Sequence, residues 1–240
     1  MALPPNQRRH VDPASRKKIW LYGSAFVGKS SLADHFPDPI FLNSDGNTNS
    51  FTSPYILIKS EYRNGVCVKL AWDVFTESIN ELAKGNHSFK TVVVDLVEDT
   101  YEYCRVWSYN KLNIQHESDN SFKAWDFVRN RFLNAYKQLT TLPLNVVLIS
   151  HEDYTRDVSK HSGDKISAVG PAIQDRVANK LAGMMDIVAR ITNEPNGHFI
   201  NFKSDSVMFG GGRINIRTQR IPCTYEALDK IYKEQGNATD

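Results

Sequence analysis

The stretch GSAFVGKS, residues 23–30, carries glycines, a lysine and a serine at the spacing G-x-x-x-x-G-K-[ST]. That spacing suits a polyphosphate. Glycines let the backbone turn so that its N–H groups converge on an anion, and a following helix N-terminus adds partial positive charge. The candidate nucleotide-binding residues are Gly23, Ser24, Ala25, Phe26, Val27, Gly28, Lys29, Ser30 and Ser31. Lys29 is expected to reach the β- and γ-phosphates and Ser30 to ligate Mg²⁺. Further candidates end other apolar runs. Asp95 closes TVVVD, where a carboxylate would hold the Mg²⁺ through water. Asp45, in FLNSDGN, is placed to orient an attacking water, although Asp-Gly is also an ordinary turn pair. His151, in LISHE, would contact the γ-phosphate or be satisfied locally. Glu98 and Asp99 either face the same site or cap the next helix.

These residues need a scaffold that brings them together. KIWLYG (18–23), PIFLN (39–43), TVVVD (91–95) and NVVLIS (145–150) are short apolar runs, the mark of strands buried on both faces. Helical patterns follow the phosphate loop and cover about residues 73–84, 98–109, 122–139, 172–185 and 225–233. YILIK and VCVKLA read as short strands or edges. DIVARI, HFINFK and RINIR (213–217) read as a terminal antiparallel group. Residues 110–120 and the glycine-bearing stretch after Glu152, to about residue 170, carry no pattern and read as loops. Strands alternating with helices predict an α/β fold with a mainly parallel central sheet flanked by helices, and a small C-terminal antiparallel extension. Such sheets bind ligands beyond the C-terminal ends of their strands, so Gly23, Asp45, Asp95 and His151 should gather on one edge.

The chain has 240 residues, with 41% apolar and 23% charged side chains and a net charge of +2. These values describe an ordinary globular protein without a global nucleic-acid footprint. Residues 1–16 read as a mobile basic arm and 17–240 as a single domain. No apolar run is long enough for a membrane span, and the N-terminus has no signal-peptide core, so the expected location is the cytoplasm. The three cysteines have no metal-type spacing. No N/T-K-x-D element for guanine recognition is found, which makes ATP the expected nucleotide, and no arginine-rich lid favours a small-molecule kinase.

The order of these parts resembles the RecA-like core ATPases, over roughly residues 17–222. Most of all it looks like the small bacteriophage nucleotide-binding, AAA-type versions associated with single-strand annealing. The segments FLNSDGN, LISHE and GPAIQDRVANKLAGMMDIVARI carry this finer likeness. The resemblance implies a Mg²⁺-dependent ATPase acting on single-stranded DNA in phage recombination or replication, in the host cytoplasm. It implies a ring or filament of copies and a single-strand-binding protein as a possible partner. A nucleotide-gated scaffold or helicase loader is the alternative, and a nucleotide kinase a weaker one. It makes Asp45 the general base, at a position where glutamate is usual. It also implies that segments of about 99–120 and 152–170 line a DNA channel. Arg105, Lys111, Arg156, Lys160 and Lys165 would then meet phosphates, and Tyr101, Tyr103, Trp107, Tyr109 and Tyr154 would offer stacking faces or pack in the core. Arg213, Arg217 and Arg220 would reach a neighbour's nucleotide in trans, or form an ordinary basic edge.

Overall fold

A computed structural model describes residues 5–7, 16–159, 165–205 and 207–236. Most of the expected basic arm, residues 1–16, lies outside the described residues. In chain order the strands are β1 (Lys18–Gly23), β2 (Pro39–Asn43), β3 (Tyr55–Leu57), β4 (Glu61–Arg63), β5 (Val66–Lys69), β6 (Thr91–Asp95), β7 (Asn145–Ser159), β8 (Lys165–Pro171), β9 (Ile187–Glu194), β10 (Gly197–Asn201), β11 (Gly211–Gly212) and β12 (Arg220–Pro222). The helices are α1 (Lys29–Asp34), α2 (Ala71–Ala83), α3 (Val97–Leu112), α4 (Ser121–Thr141), α5 (Asp175–Ala182) and α6 (Tyr225–Gly236).

The main sheet has the order β12-β10-β9-β1-β7-β6-β2-β3. Strands β9, β1, β7, β6, β2 and β3 run parallel, and β10, β12 and β11 form the antiparallel part. This is the expected α/β architecture. Strand β7 lies between β1 and β6, so His151 sits on the strand between those that carry Gly23 and Asp95.

Successive strand residues face opposite sides, and both sides are covered, which is why the strands read as unbroken apolar runs. On one side Trp20, Tyr22, Leu42, Val94 and Leu148 pack under a layer that includes Phe75, Tyr101, Phe132 and Leu181. On the other, Ile19, Leu21, Phe41, Val93 and Val147 meet Leu32 of α1 and Leu228 and Tyr232 of α6. Trp20 is wholly buried, and its indole N–H donates to Ser150 Oγ at 2.9 Å, which satisfies two buried polar groups at once. Lys17 pairs with Asp229 at 2.9 Å and fastens α6 to the start of β1.

Several sequence expectations are corrected. The segment expected as a loop after Glu152 is the outer part of β7 plus β8, an antiparallel hairpin from Glu152↔Pro171 to Ser159↔Lys165. The two strands are joined through backbone pairing, and this polar, glycine-bearing stretch carries no apolar alternation, so the sequence gives no strand signal there. Likewise no loop occupies 99–112, because α3 runs through it to Leu112, and a short 3₁₀ turn at Glu117–Asn120 leads into α4. RINIR is not a strand. Strand β10 already pairs with β9 at Arg190–Glu194, so only Ile187 to Ala189 remain, and Gly211–Gly212 pair with Val188 and Ile187 as β11. The helix expected over 172–185 is shorter, Asp175–Ala182. Among the described residues, no helix is long and apolar enough to cross a membrane.

Candidate active site

Parallel registry places the ends of β1, β7, β6 and β2 at one edge. Gly23 lies beside His151, and Asp95 beside Ile149 and Asn43. A cavity of about 400 Å³ opens there, and its wall includes Lys29, Ser30, Asp45, Asp95, Leu96 and His151. The four residues expected to carry chemistry therefore share one cavity.

The loop leaves β1 at a position that only glycine fits. A Cβ on Gly23 would stand 2.4 Å from the carbonyl oxygen of Ile191 in the neighbouring strand. Gly28, just before α1, has φ 87°, in the left-handed region that L side chains avoid. Gly23→Ala is accordingly expected to push β9 from β1, lowering stability by about 1–3 kcal/mol and weakening triphosphate binding. Denaturant unfolding beside nucleotide titration checks it, and an alanine variant as stable as the wild type would contradict the clash.

Lys29 is buried, and its ammonium donates to the carbonyls of Gly23 (2.8 Å) and Ser24 (2.7 Å). Burial lowers its pKa, against the opposing pull of Asp95, Glu98 and Glu152. Ser30 Oγ donates to Asp95 Oδ2 at 2.7 Å. Burial pushes the Asp95 carboxyl up to about 6; the Ser30 hydrogen bond and Lys29 pull it down, and Asp45 and Glu98 push it further up. A serine hydroxyl and one carboxylate side by side in an acidic cavity are hard oxygen donors that fit Mg²⁺, an ion that takes its remaining ligands from water and phosphates. Among the described residues no group of three or more His, Cys, Asp or Glu could cage a metal by itself.

Asp45 is held by its own turn. Its Oδ1 accepts from Asn43 Nδ2 and from the N–H of Asn47, both at 2.9 Å. At the start of α3, Asp99 accepts from Ser44 Oγ at 2.8 Å, while Ser44 Oγ accepts from the N–H of Leu96. These bonds lock the turn after β2 to the turn after β6. His151 is anchored from α3: Glu98 Oε1 accepts from its backbone N–H at 2.7 Å and lies 3.0 Å from its Nδ1. The Glu98 hydrogen bond raises the pKa of His151 in spite of burial.

The pattern of the AAA domain family matches residues 15–214. The chain belongs to that family. It is an AAA-type P-loop ATPase domain, the kind of protein that binds ATP with Mg²⁺. A KaiC-like protein from the hyperthermophilic archaeon Pyrococcus horikoshii OT3 is similar in structure, with 11% identity, coverage of 77% of each chain and a TM-score of 0.38. No curated protein matches the sequence.

Among the described residues of the AAA domain, none of those expected to meet DNA or a neighbour's nucleotide is on the wall of this cavity. Arg105 pairs with Glu102 at 2.6 Å on α3 and sits 5.8 Å from the Tyr109 ring. Lys111 stands 5.3 Å from the ring of Trp107. Trp107 and Tyr101 are buried, packed among α2, α3 and α4, so they offer no stacking face; Tyr154 is exposed. Arg156 and Lys165 lie on the β7–β8 hairpin, opposite Ala168 and Ser159, and Lys160 is outside the described residues. Arg213 donates to the carbonyl of Gly183 at the end of α5. Arg220 pairs with Glu194 at 2.6 Å on the edge strand β12, and Arg217 lies between these two in irregular chain.

One group at the loop escaped the sequence reading. Glu152, one residue past His151, accepts from Ser24 Oγ of the phosphate loop, from Tyr154 OH (2.6 Å) and from Arg190 Nε (2.7 Å). Burial alone would raise its pKa, but these donors outweigh burial and hold the carboxyl below its ordinary value. The available signal was Arg190, a cation inside the otherwise apolar run IVARI.

Proposed function

We propose that the protein is a Mg²⁺-dependent ATPase that acts on single-stranded DNA as an assembly of several copies. The observation that carries the catalytic half is the Ser30–Asp95 hydrogen bond, set in one cavity with Lys29, Asp45 and His151. Ser30 and Asp95 would hold Mg²⁺, which when bound supplies charge neutralisation at the phosphates. Lys29 would leave its loop carbonyls for the phosphate oxygens. His151 would donate to the terminal phosphate, and Asp45 would orient the attacking water through the oxygen its turn does not occupy.

A second recess gives the base a place. A cavity of about 490 Å³ shares Gly28 and Ser31 with the phosphate cavity, and Leu32, His198, Cys223 and Tyr225 contribute to its wall. An aromatic base would rest there against Tyr225, an arrangement worth about tenfold or more in affinity. Tyr225→Ala is expected to weaken ATP binding by about that factor and to leave inorganic triphosphate binding unchanged. Calorimetric titration with both ligands distinguishes the cases; equal losses for both would remove the base from this recess.

The DNA half rests on the course of one strand. Strand β7 carries His151 and then continues into the hairpin that bears Arg156 and Lys165, so DNA phosphates on the hairpin and nucleotide at the tip would share one strand. The place in phage recombination or replication, with an annealing or loading role, follows from the resemblance of FLNSDGN and LISHE to small phage ATPases. The trans-acting role of Arg213, Arg217 and Arg220 requires a ring or filament, and a single-strand-binding partner and a place in the host cytoplasm belong to the same proposal.

The deciding experiment is ATP turnover with and without single-stranded DNA, with mass determination in each nucleotide state. Mg²⁺-dependent turnover that rises with DNA, by a multimer, supports the proposal. Absence of turnover in a protein that binds ATP would leave the second reading, a nucleotide-gated DNA-binding scaffold or loader. That reading is favoured by the two hydrogen bonds that engage Asp45 Oδ1 within its own turn.

A further inference from the structure

Glu98 sits in the first turn of α3 and is not part of the cavity wall. Its Oε1 takes both the backbone N–H of His151 (2.7 Å) and the contact from ring Nδ1 (3.0 Å). Its other oxygen, Oε2, is buried and has no hydrogen-bond partner among the described residues. A half-buried carboxylate whose protein bonds all go to one residue is spent on fixing that residue. It fixes both the backbone and the side chain of the strand tip, so the ring has little freedom to turn away.

We propose that Glu98 is the positioning residue of this site, holding the His151 ring with Nδ1 toward α3 and Nε2 presented to the terminal phosphate. The inference rests on the ATPase reading and names the part that aims its histidine. An ionised carboxylate only accepts hydrogen bonds, so Nδ1 carries a hydrogen. In the neutral ring Nε2 is then an acceptor, and in the imidazolium it is a donor. The charged groups facing His151 are Glu98 and Asp99 from α3, Asp95 from β6 and Lys29 from α1. The Glu98 bond is the largest influence and keeps the ring basic, which favours the donor form beside phosphate oxygens.

The test uses the full chain with ¹⁵N-labelled histidine. His151 is assigned among the 7 histidines by its disappearance in His151→Gln. Wild type is expected to show the Nδ1–H tautomer whenever the His151 ring is neutral. Glu98→Ala is expected to release the ring to the Nε2–H tautomer, with kcat down about tenfold or more and KM for ATP within about twofold. Glu98→Gln keeps an acceptor at the same place and is expected to retain the Nδ1–H tautomer and a kcat within about threefold of wild type. A wild-type Nε2–H tautomer, an unchanged tautomer in Glu98→Ala, or a Gln variant as impaired as the Ala variant overturns the proposal. The wild-type spectrum decides the first point even where Glu98→Ala does not fold. If the wild type hydrolyses no ATP, the ATPase reading fails separately. The affinity gain of a non-hydrolysable ATP analogue over ADP then decides the role of Glu98: it should shrink in Glu98→Ala and persist in Glu98→Gln, and an equal gain in wild type and Glu98→Ala overturns it.

Discussion

Lys29→Ala is expected to lower ATP turnover by about 10³-fold or more while leaving a folded protein. The ammonium is the one cation on the wall of the phosphate cavity apart from a protonated His151. Among the described residues on that wall, charge building up on the terminal phosphate would have only these two groups to meet it. Folding should lose only a modest amount. Ser24 is exposed, so water can replace its bond, whereas the bond to the Gly23 carbonyl is buried and its loss costs about 1–3 kcal/mol. Steady-state turnover together with thermal unfolding measures both parts. Turnover within about tenfold of the wild type would mean that the loop is not the hydrolytic site.

The second large effect has two opposite signs. Asp95→Asn is expected to abolish Mg²⁺-dependent turnover and to make the nucleotide-free protein more stable near neutral pH. Burial raises the folded-state pKa of Asp95 to about 6, well above the ordinary aspartate value. The folded chain therefore holds a proton that the unfolded chain has released. Stability is higher when Asp95 is protonated, and it declines as pH rises from the ordinary aspartate value through about 6. Asparagine keeps an acceptor for the Ser30 hydroxyl and removes the buried charge, which should return on the order of 1–2 kcal/mol near neutral pH. It should also flatten the stability profile between about pH 4 and 6. Denaturant unfolding across that range reads the effect directly. A variant less stable than the wild type near neutral pH, or one that still turns over ATP with Mg²⁺, would contradict the assignment.

The scaffold and the cavity were legible for a simple reason. KIWLYG, PIFLN, TVVVD and NVVLIS are buried on both faces, so hydrophobicity alone marks them, and parallel sheets gather ligand groups at strand tips. Lys29, Asp45, Asp95 and His151 were therefore placeable from their positions just after these runs. The β7–β8 hairpin was not legible, because its residues follow no apolar alternation. Nor was the Ser24–Glu152–Arg190 group, whose members come from distant parts of the chain and meet only through strand registry. Tyr101 and Trp107 show the limit of composition. Aromatic residues near basic ones suggest stacking, yet α3 turns both inward, and Trp107 spends its indole N–H on Asp73 at 2.7 Å.

Strand β7 runs from Asn145 in the core, past His151, to Ser159 in the hairpin, with a register shift against β8 between Asp153 and Arg156. At about 3.3 Å per residue, the segment beyond His151 projects on the order of 25 Å. It works mechanically as a beam clamped in the sheet, with the phosphate site at the clamp. A tilt of a few degrees there, as Ser24 lets go of Glu152, would sweep the free end by an ångström or more. The same geometry runs backwards: a load on the free end would bear on the clamp beside the phosphate cavity.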